Sequence, residues 1–262
     1  MSIDLMPGFG AFTQSSAAPW TPANLVYPGV WYDAKDSATI TNNGGGYVRF
    51  WDDKSGNGRT MIGNILNTSF TWDGVDKITS DAAATMSLGS NLAPNAILRD
   101  GVKGILASIL TWTSGVIWMK WENADGGSGG RLGFEGNNRV DWPTDNTSTG
   151  SLQSWSATLS SSTFKVLSIR HSGSALTARL NGTQVKTLTN STQFTNPGSA
   201  GGMELFGGPG ASYSVCSIKT FLICGDNDLT SEEKLEGYLA WRFGLEGDLD
   251  AGHPYKSAAP TL

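Results

Sequence analysis

The stretch Phe164–Leu188, FKVLSIRHSGSALTARLNGTQVKTL, is three short runs of alternating apolar and polar residues joined by Ser-Gly-Ser and Asn-Gly. Alternation with a period of two marks a strand with one buried face, and Asn-Gly is a strong signal for a tight hairpin. The same texture fills most of the chain. YVRFWDD stops at KSGNGR, and GVIWMKWE alternates up to the glycine-rich NADGGSGG. RLGFEGNNRVDW reads as a hairpin turning at Asn137–Asn138, GGMELFGG as a further strand, and YSVCSIKTFLIC as the last and most apolar one. About ten to fourteen strands at this spacing predict an all-β sandwich or jelly roll of two antiparallel sheets.

The pattern changes once, near the C-terminus. Leu235, Tyr238, Leu239 and Phe243 recur at helical spacing and form one apolar stripe. Thr230 is the expected N-cap, and Glu233 completes a capping box. Glu232 and Glu233 complement the positive end of the helix dipole, and Gly244 stands where a left-handed residue closes a helix. The predicted helix covers about residues 230–244. Gly237 is a defect in it, costing roughly 1 kcal/mol against alanine. It lies one turn before Trp241 and is read as making room for that indole, the alternative being contact with another surface.

The 262 residues suffice for one large all-β domain, and no internal repeat marks a second. With 39% hydrophobic and 16% charged residues, the chain has material for a core and does not read as disordered. A net charge of −5 without a basic stripe argues against nucleic-acid binding. No run reaches the ~18 apolar residues of a membrane span, so no membrane insertion is expected. Asp4 stands where a secretory leader needs positive charge, so the sequons at Asn67, Asn146, Asn181 and Asn190 are read as accidents of composition. Cys216 and Cys224 share one alternating run. Eight residues apart, they are expected to point the same way, roughly 26 Å from each other, too far to bridge. Free thiols suit folding in a reducing cytoplasm.

Residues 1–24 carry Pro7, Pro19 and Pro22 and no sustained period, and read as an N-terminal arm ahead of a domain over 25–262. The aromatics Phe9, Phe12 and Trp20 are its candidate attachment residues, docking on the chain's own domain or on a neighbouring subunit.

VWYDAKDSATIT, RFWDDKSGNGRTM, FTWDGVDKIT, FKVLSIRHSGSALTARLNGTQV and IKTFLICGDNDLTSEEKLEGYLAWRFGL with AGHPYKSAAP together carry a family resemblance. The chain resembles the laminin-G-like, concanavalin A-like domains common in bacteriophage virion proteins, over about residues 25–260 and most specifically at Trp51–Arg59 and Glu236–Pro260. Leu249-Asp250 stands where family members often carry Leu-Pro. The resemblance implies a concanavalin A-like jelly roll whose closing helix packs on the sandwich while the tail runs back over it. It also implies a virion structural protein of the decoration, fibre or spike type, made in the bacterial host cytoplasm. Such a protein would attach to head or tail subunits through the arm and form a homo-oligomer, with a trimer favoured. The alternative is a glycan-binding receptor-recognition module for host surface glycans.

Catalytic chemistry is not indicated. Retaining glycosidases need two carboxylates about 5 Å apart, usually Glu-x-Asp-x-Glu on one strand, and this chain has no such triplet. Outside the helix and tail its glutamates are Glu122, Glu135 and Glu204, each isolated. His171 sits at a hairpin turn, and His253 is expected to fix the tail through a hydrogen bond. No enzymatic activity, catalytic residue, metal or cofactor is therefore assigned. Calcium is the weaker option, with Asp52, Asp53, Asp73, Asp76, Asp226 and Asp228 as loose oxygen sources. Sugar binding has the better physical basis, because aromatic rings stack on sugars while loop polar groups bind hydroxyls. Trp142 and Trp155, in polar loop text, are its candidates, with Asp125 and Arg131 nearby. Of Trp118 and Trp121, on opposite parities of one strand, at least one belongs to the core.

Overall fold

Turn chemistry sets the strand pairing. At the Asn-Gly hairpin Asn181 and Gly182 both take left-handed backbone, φ 51° and 81°, as a two-residue hairpin of matching twist requires. In a computed structural model, the described residues are 17–63, 70–81, 86–88, 104–114, 116–121, 131–135, 139–142, 151–154, 162–172, 175–189, 203–205, 207–208, 212–213 and 215–262.

In chain order the strands are β1 (Pro28–Asp33), β2 (Ile40–Asn42), β3 (Val48–Trp51), β4 (Met61–Gly63), β5 (Phe70–Trp72), β6 (Ile78–Asp81) and β7 (Met86–Leu88). There follow β8 (Gly104–Ser114), β9 (Val116–Trp121), β10 (Arg131–Glu135), β11 (Arg139–Trp142), β12 (Ser151–Ser154), β13 (Lys165–His171), β14 (Ala175–Leu180) and β15 (Thr183–Thr189). β16 (Met203–Leu205), β17 (Gly207–Gly208), β18 (Ser212–Tyr213), β19 (Val215–Cys224) and a single α-helix among the described residues, α1 (Leu229–Phe243), complete the order. One sheet runs β15-β14-β13-β8-β19-β6-β5, with β1 also on β19, and the other runs β12-β11-β10-β9-β16-β7-β4-β3-β2. Both are antiparallel throughout, and the expected meander is β13-β14-β15. The fold is an all-β sandwich closed by one C-terminal helix, with more and shorter strands than the sequence texture implies.

Two apolar layers hold it. Between the sheets lie Tyr32, Trp51, Met61, Phe70, Ile78, Met86, Leu110, Leu167 and Phe221, among others. The second layer lies between the helix and the outer face of the first sheet. There Leu235, Leu239, Ala240 and Phe243 meet Ile105, Ala107, Ile109, Val166 and Leu222. The helix thus covers an open sheet face, as the apolar stripe requires.

β19 serves both layers through one irregularity. Its pairing with β8 slips between Ile218 and Thr220, leaving Lys219 as the extra residue of a bulge. Before the slip Cys216 and Ile218 face the inter-sheet core; after it Phe221 and Ile223 do, while Leu222 and Cys224 face the helix. The two cysteines, free and buried, therefore sit in different layers and do not point the same way. The even spacing misleads because the bulge shifts the parity.

The helix begins earlier than its capping box implies. Asp228 is the N-cap and accepts from the Ser231 N–H at 2.8 Å, so Thr230 lies inside the helix. Aspartate two residues upstream offers the same cap with a stronger acceptor. Gly244, φ 70°, ends the helix as expected. Gly237 makes room, but not for Trp241: a Cβ there would lie 2.5 Å from Tyr255 Cβ. The Trp241 indole instead donates to the Tyr255 carbonyl at 2.8 Å. The helix's second face is the seat of the chain's own tail.

Within the predicted arm, the described residues belong to the domain. Trp20 is 5% exposed, packs edge-on against Tyr238 at 6.1 Å, and donates its backbone N–H to the Pro260 carbonyl. Pro19 bridges Thr261, and the Leu262 N–H reaches Ala18. Trp20 is thus a core residue and not an aromatic held out for a neighbour. Phe9 and Phe12 lie outside the described residues.

Candidate functional site

Strand register locates the predicted sugar-binding residues. Glu204 pairs with Lys120 on one side and Ser87 on the other, while Leu205 pairs with Met86. Met86 and Leu205 are buried in the inter-sheet core, so positions 87, 120 and 204 fall on the face turned away from it. Ile62, paired with Ser87 in the same row, is 38% exposed. Alternation along β9 and β10 places Trp118, Arg131, Gly133 and Glu135 on that outward face, and Asp141 of β11 pairs with Gly133. Trp121 and Trp142 fall on the opposite, core-side parity. Trp142 also ends β11 opposite Ser151, a strand position where the polar text reads as loop. Of the four candidates, register sets Arg131 and Trp142 at positions of opposite parity, while Asp125 and Trp155 lie outside the described residues.

The residues that carry the family resemblance hold the fold. Asp53 accepts from the Trp31 N–H of β1 and the Ser55 N–H, both at 2.8 Å. Ser55 Oγ, Asn57 Nδ2 and Arg59 Nη1 all converge on the Gly29 carbonyl at 2.8 Å. The Arg59 carbonyl accepts from Tyr32 Oη at 2.7 Å. The loop after Trp51 is a clamp on the start of β1. The other loose aspartates are similarly engaged. Asp226 accepts from the Val26 and Tyr27 N–H groups, Asp73 from those of Val75, Asp76 and Lys77, and Asp52 from Thr60 Oγ1. Asp76 pairs with Lys219, and Asp228 caps the helix. Among the described residues no three His, Cys, Asp or Glu side chains are grouped to hold a metal ion.

A polar cluster lies under the helix, and it was not foreseen. Glu232 and Glu236 are both fully buried against β13 and β14. Ser168 Oγ is 2.8 Å from Glu232 Oε1 and 2.6 Å from Glu236 Oε1. Arg170 Nε donates to Glu232 Oε2 at 2.8 Å. Arg179 Nε lies 3.1 Å from Glu236 Oε1, an ion pair without hydrogen-bond alignment, and its Nη1 is 3.5 Å from Glu233. From the tail, His253 Nδ1 accepts from the Tyr255 N–H, so the ring proton sits on Nε2 and is donated to Glu236 Oε2 at 3.1 Å. The role expected of His253 is the observed one.

A serine hydroxyl has one proton and can donate fully to only one of the two carboxyl oxygens that approach it, so the second contact favours a protonated carboxyl. Burial first, and then the neighbouring Glu236, push the Glu232 pKa up, against Arg170 and Ser168. The signal for this cluster was the parity of Ser168 and Arg170 on β13, which puts both on one face. This acidic pair is enclosed between helix and sheet, where no substrate reaches it.

No protein-family model matches the chain, and neither does any curated protein. Solved structures do. The binding domain of botulinum neurotoxin serotype G matches with TM-score 0.54 at 13% identity over 83% of this chain, which spans about half, 51%, of that one. Trypanosoma rangeli sialidase in complex with 2,3-difluorosialic acid matches at 0.53 and 9% identity over 80% of this chain and 32% of that one. Domain 4 of AbnA, a GH43 extracellular arabinanase from Geobacillus stearothermophilus, in complex with arabinotriose, matches at 0.51 and 13% identity over 76% of this chain and 92% of that domain. At such identities the likeness establishes the fold, a jelly-roll-like sandwich, and no activity.

Proposed function

We propose that this chain is a glycan-binding module without catalytic turnover. The observation that carries the reading is the match across 92% of domain 4 of AbnA, whose structure is in complex with arabinotriose. One further feature supports it. The buried carboxylate pair is walled in by α1, which removes it as a hydrolytic pair. A glycan array probed with the labelled full chain tests the reading. Reproducible binding to a defined set of oligosaccharides is expected, and a blank array overturns it.

Display on a phage head or tail, with homo-trimerisation, rests on the sequence resemblance alone. In that setting attachment falls to residues before Ala17, since Trp20 is committed to the domain. Light scattering of the purified chain checks the oligomer, and a monomeric mass contradicts the trimer.

A further inference from the structure

We infer that the glycan site lies on the outer surface formed by α1 and the tail, centred on Trp241 and Tyr255, and that it takes a neutral oligosaccharide. This rests on the glycan-binding reading above and names the site and ligand class for it.

The sequence breaks a local rule here. A glycine inside a helix weakens it relative to alanine, and such violations concentrate where a site is built. Gly237 admits Tyr255, whose side chain lies so close that a Cβ at 237 would stand 2.8 Å from its Cγ and 2.9 Å from its Cδ2. Closure alone would be met by alanine under a smaller tail residue. The Gly237–Tyr255 pair instead keeps a half-buried aromatic ring at the surface, on a weaker helix.

Trp241 stands one turn beyond Gly237 and is 37% exposed, whereas Trp20, Trp31 and Trp51 are buried and Trp72 is half-buried. Its indole N–H donates to the Tyr255 carbonyl at 2.8 Å, which fixes the orientation of the ring. Tyr255 is held in turn. Its N–H donates to His253 Nδ1 at 3.2 Å, and His253 is locked to Glu236. Two surface aromatics are thus in place before a ligand arrives, so binding orders few side chains. A rigid pair of this kind suits the apolar face of a pyranose ring. Glu233, one turn before Gly237, supplies an acceptor for hydroxyls. Burial first, and then this carboxylate, push the Tyr255 phenol pKa up, which sets Glu233 beside the ring.

The charges supply the ligand class, because those bordering the two rings are engaged within the fold. Arg179 Nη1 lies 3.5 Å from Glu233, and Arg242 Nη2 lies 3.0 Å from Asp33. Lys256 donates to the Gly247 and Leu249 carbonyls. Lys234 is two turns from Trp241, roughly 10 Å along the axis. What the surface offers at Trp241 and Tyr255 is ring area beside a matched ion pair, which complements a ligand without charge.

The test uses the full chain and a glycan array divided into neutral and charged members, followed by calorimetry on the strongest neutral hit. Hits concentrated among the neutral glycans are expected, with the same affinity at low and high salt. Trp241→Ala should weaken binding on the order of 30-fold, the scale of a central aromatic hot spot. Trp241→Phe, which keeps a ring but loses the bond to the Tyr255 carbonyl, should weaken it less. The indole N–H resonance of Trp241 in the parent chain should shift on titration with the same oligosaccharide, a readout that stands even if the alanine variant fails to fold. Parent-like binding by a folded Trp241→Ala, or an unmoved resonance, overturns this site while leaving a glycan module elsewhere on the chain. Hits confined to charged glycans overturn the neutral class. An empty array overturns the glycan reading itself.

Discussion

His253 and Glu236 meet through Nε2 and Oε2 at 3.1 Å, with neither side chain exposed. The bond joins the tail to the helix, and Gly182 in the β14–β15 turn packs against the same imidazole. His253→Ala leaves a buried carboxylate short of a donor and should cost about 3 kcal/mol, read as a lowered urea midpoint. His253→Gln, with an amide donor of similar reach, should recover part of it. Equal stability of His253→Ala and the parent would remove the tail lock.

Glu232 sets a pH dependence of definite sign. Its pKa is raised in the fold, by burial first, so the native state holds a proton that the unfolded chain releases earlier. Its contribution is complete below the ordinary carboxylate range and is lost as pH rises through the raised value. Glu232→Gln should flatten that decline in urea midpoints measured from acid to neutral pH. A slope unchanged by the substitution would show that Glu232 does not hold the proton.

Gly237→Ala should destabilise although alanine is the better helix former. The propensity gain is about 1 kcal/mol, but the new methyl falls 2.5 Å from Tyr255 Cβ and 2.8 Å from its Cγ. Thermal melts should show a drop for the single variant and partial recovery in Gly237→Ala/Tyr255→Gly. A stabilised single variant would mean that the tail yields without cost.

Trp20 is a core residue, so Trp20→Ala should cost about 3–5 kcal/mol. Deleting residues 2–20 should likewise lower the melting temperature. A deletion that melts like the full chain would restore the view of this segment as a detachable arm.

Cys216 and Cys224 should be inert toward a thiol reagent in the native chain and fully reactive in denaturant. Burial raises both thiol pKa values far above the usual range. Rapid native labelling of either would contradict the two-layer placement of β19.

The sandwich was legible because period-two patterning reports one-sided burial, as in Lys165–His171, and because the Leu235–Phe243 stripe could only be covering a sheet. The errors share a physical origin. Cys216 and Cys224 were misplaced by a bulge that local sequence does not announce. Thr230 lost to Asp228 because two caps in tandem compete. Gly237 answers to Tyr255, a neighbour set by tail geometry. Trp142 reads as loop in its polar surroundings but ends β11 opposite Ser151, and the register of that sheet runs through Glu204, Leu205 and Met86, which no short window contains.

Affinity electrophoresis of the full chain in gels cast with acidic or neutral polysaccharides tests the glycan reading most directly. The account predicts retardation in at least one polysaccharide gel that is relieved by the matching free oligosaccharide. Mobility identical to a blank gel in every polysaccharide would contradict it.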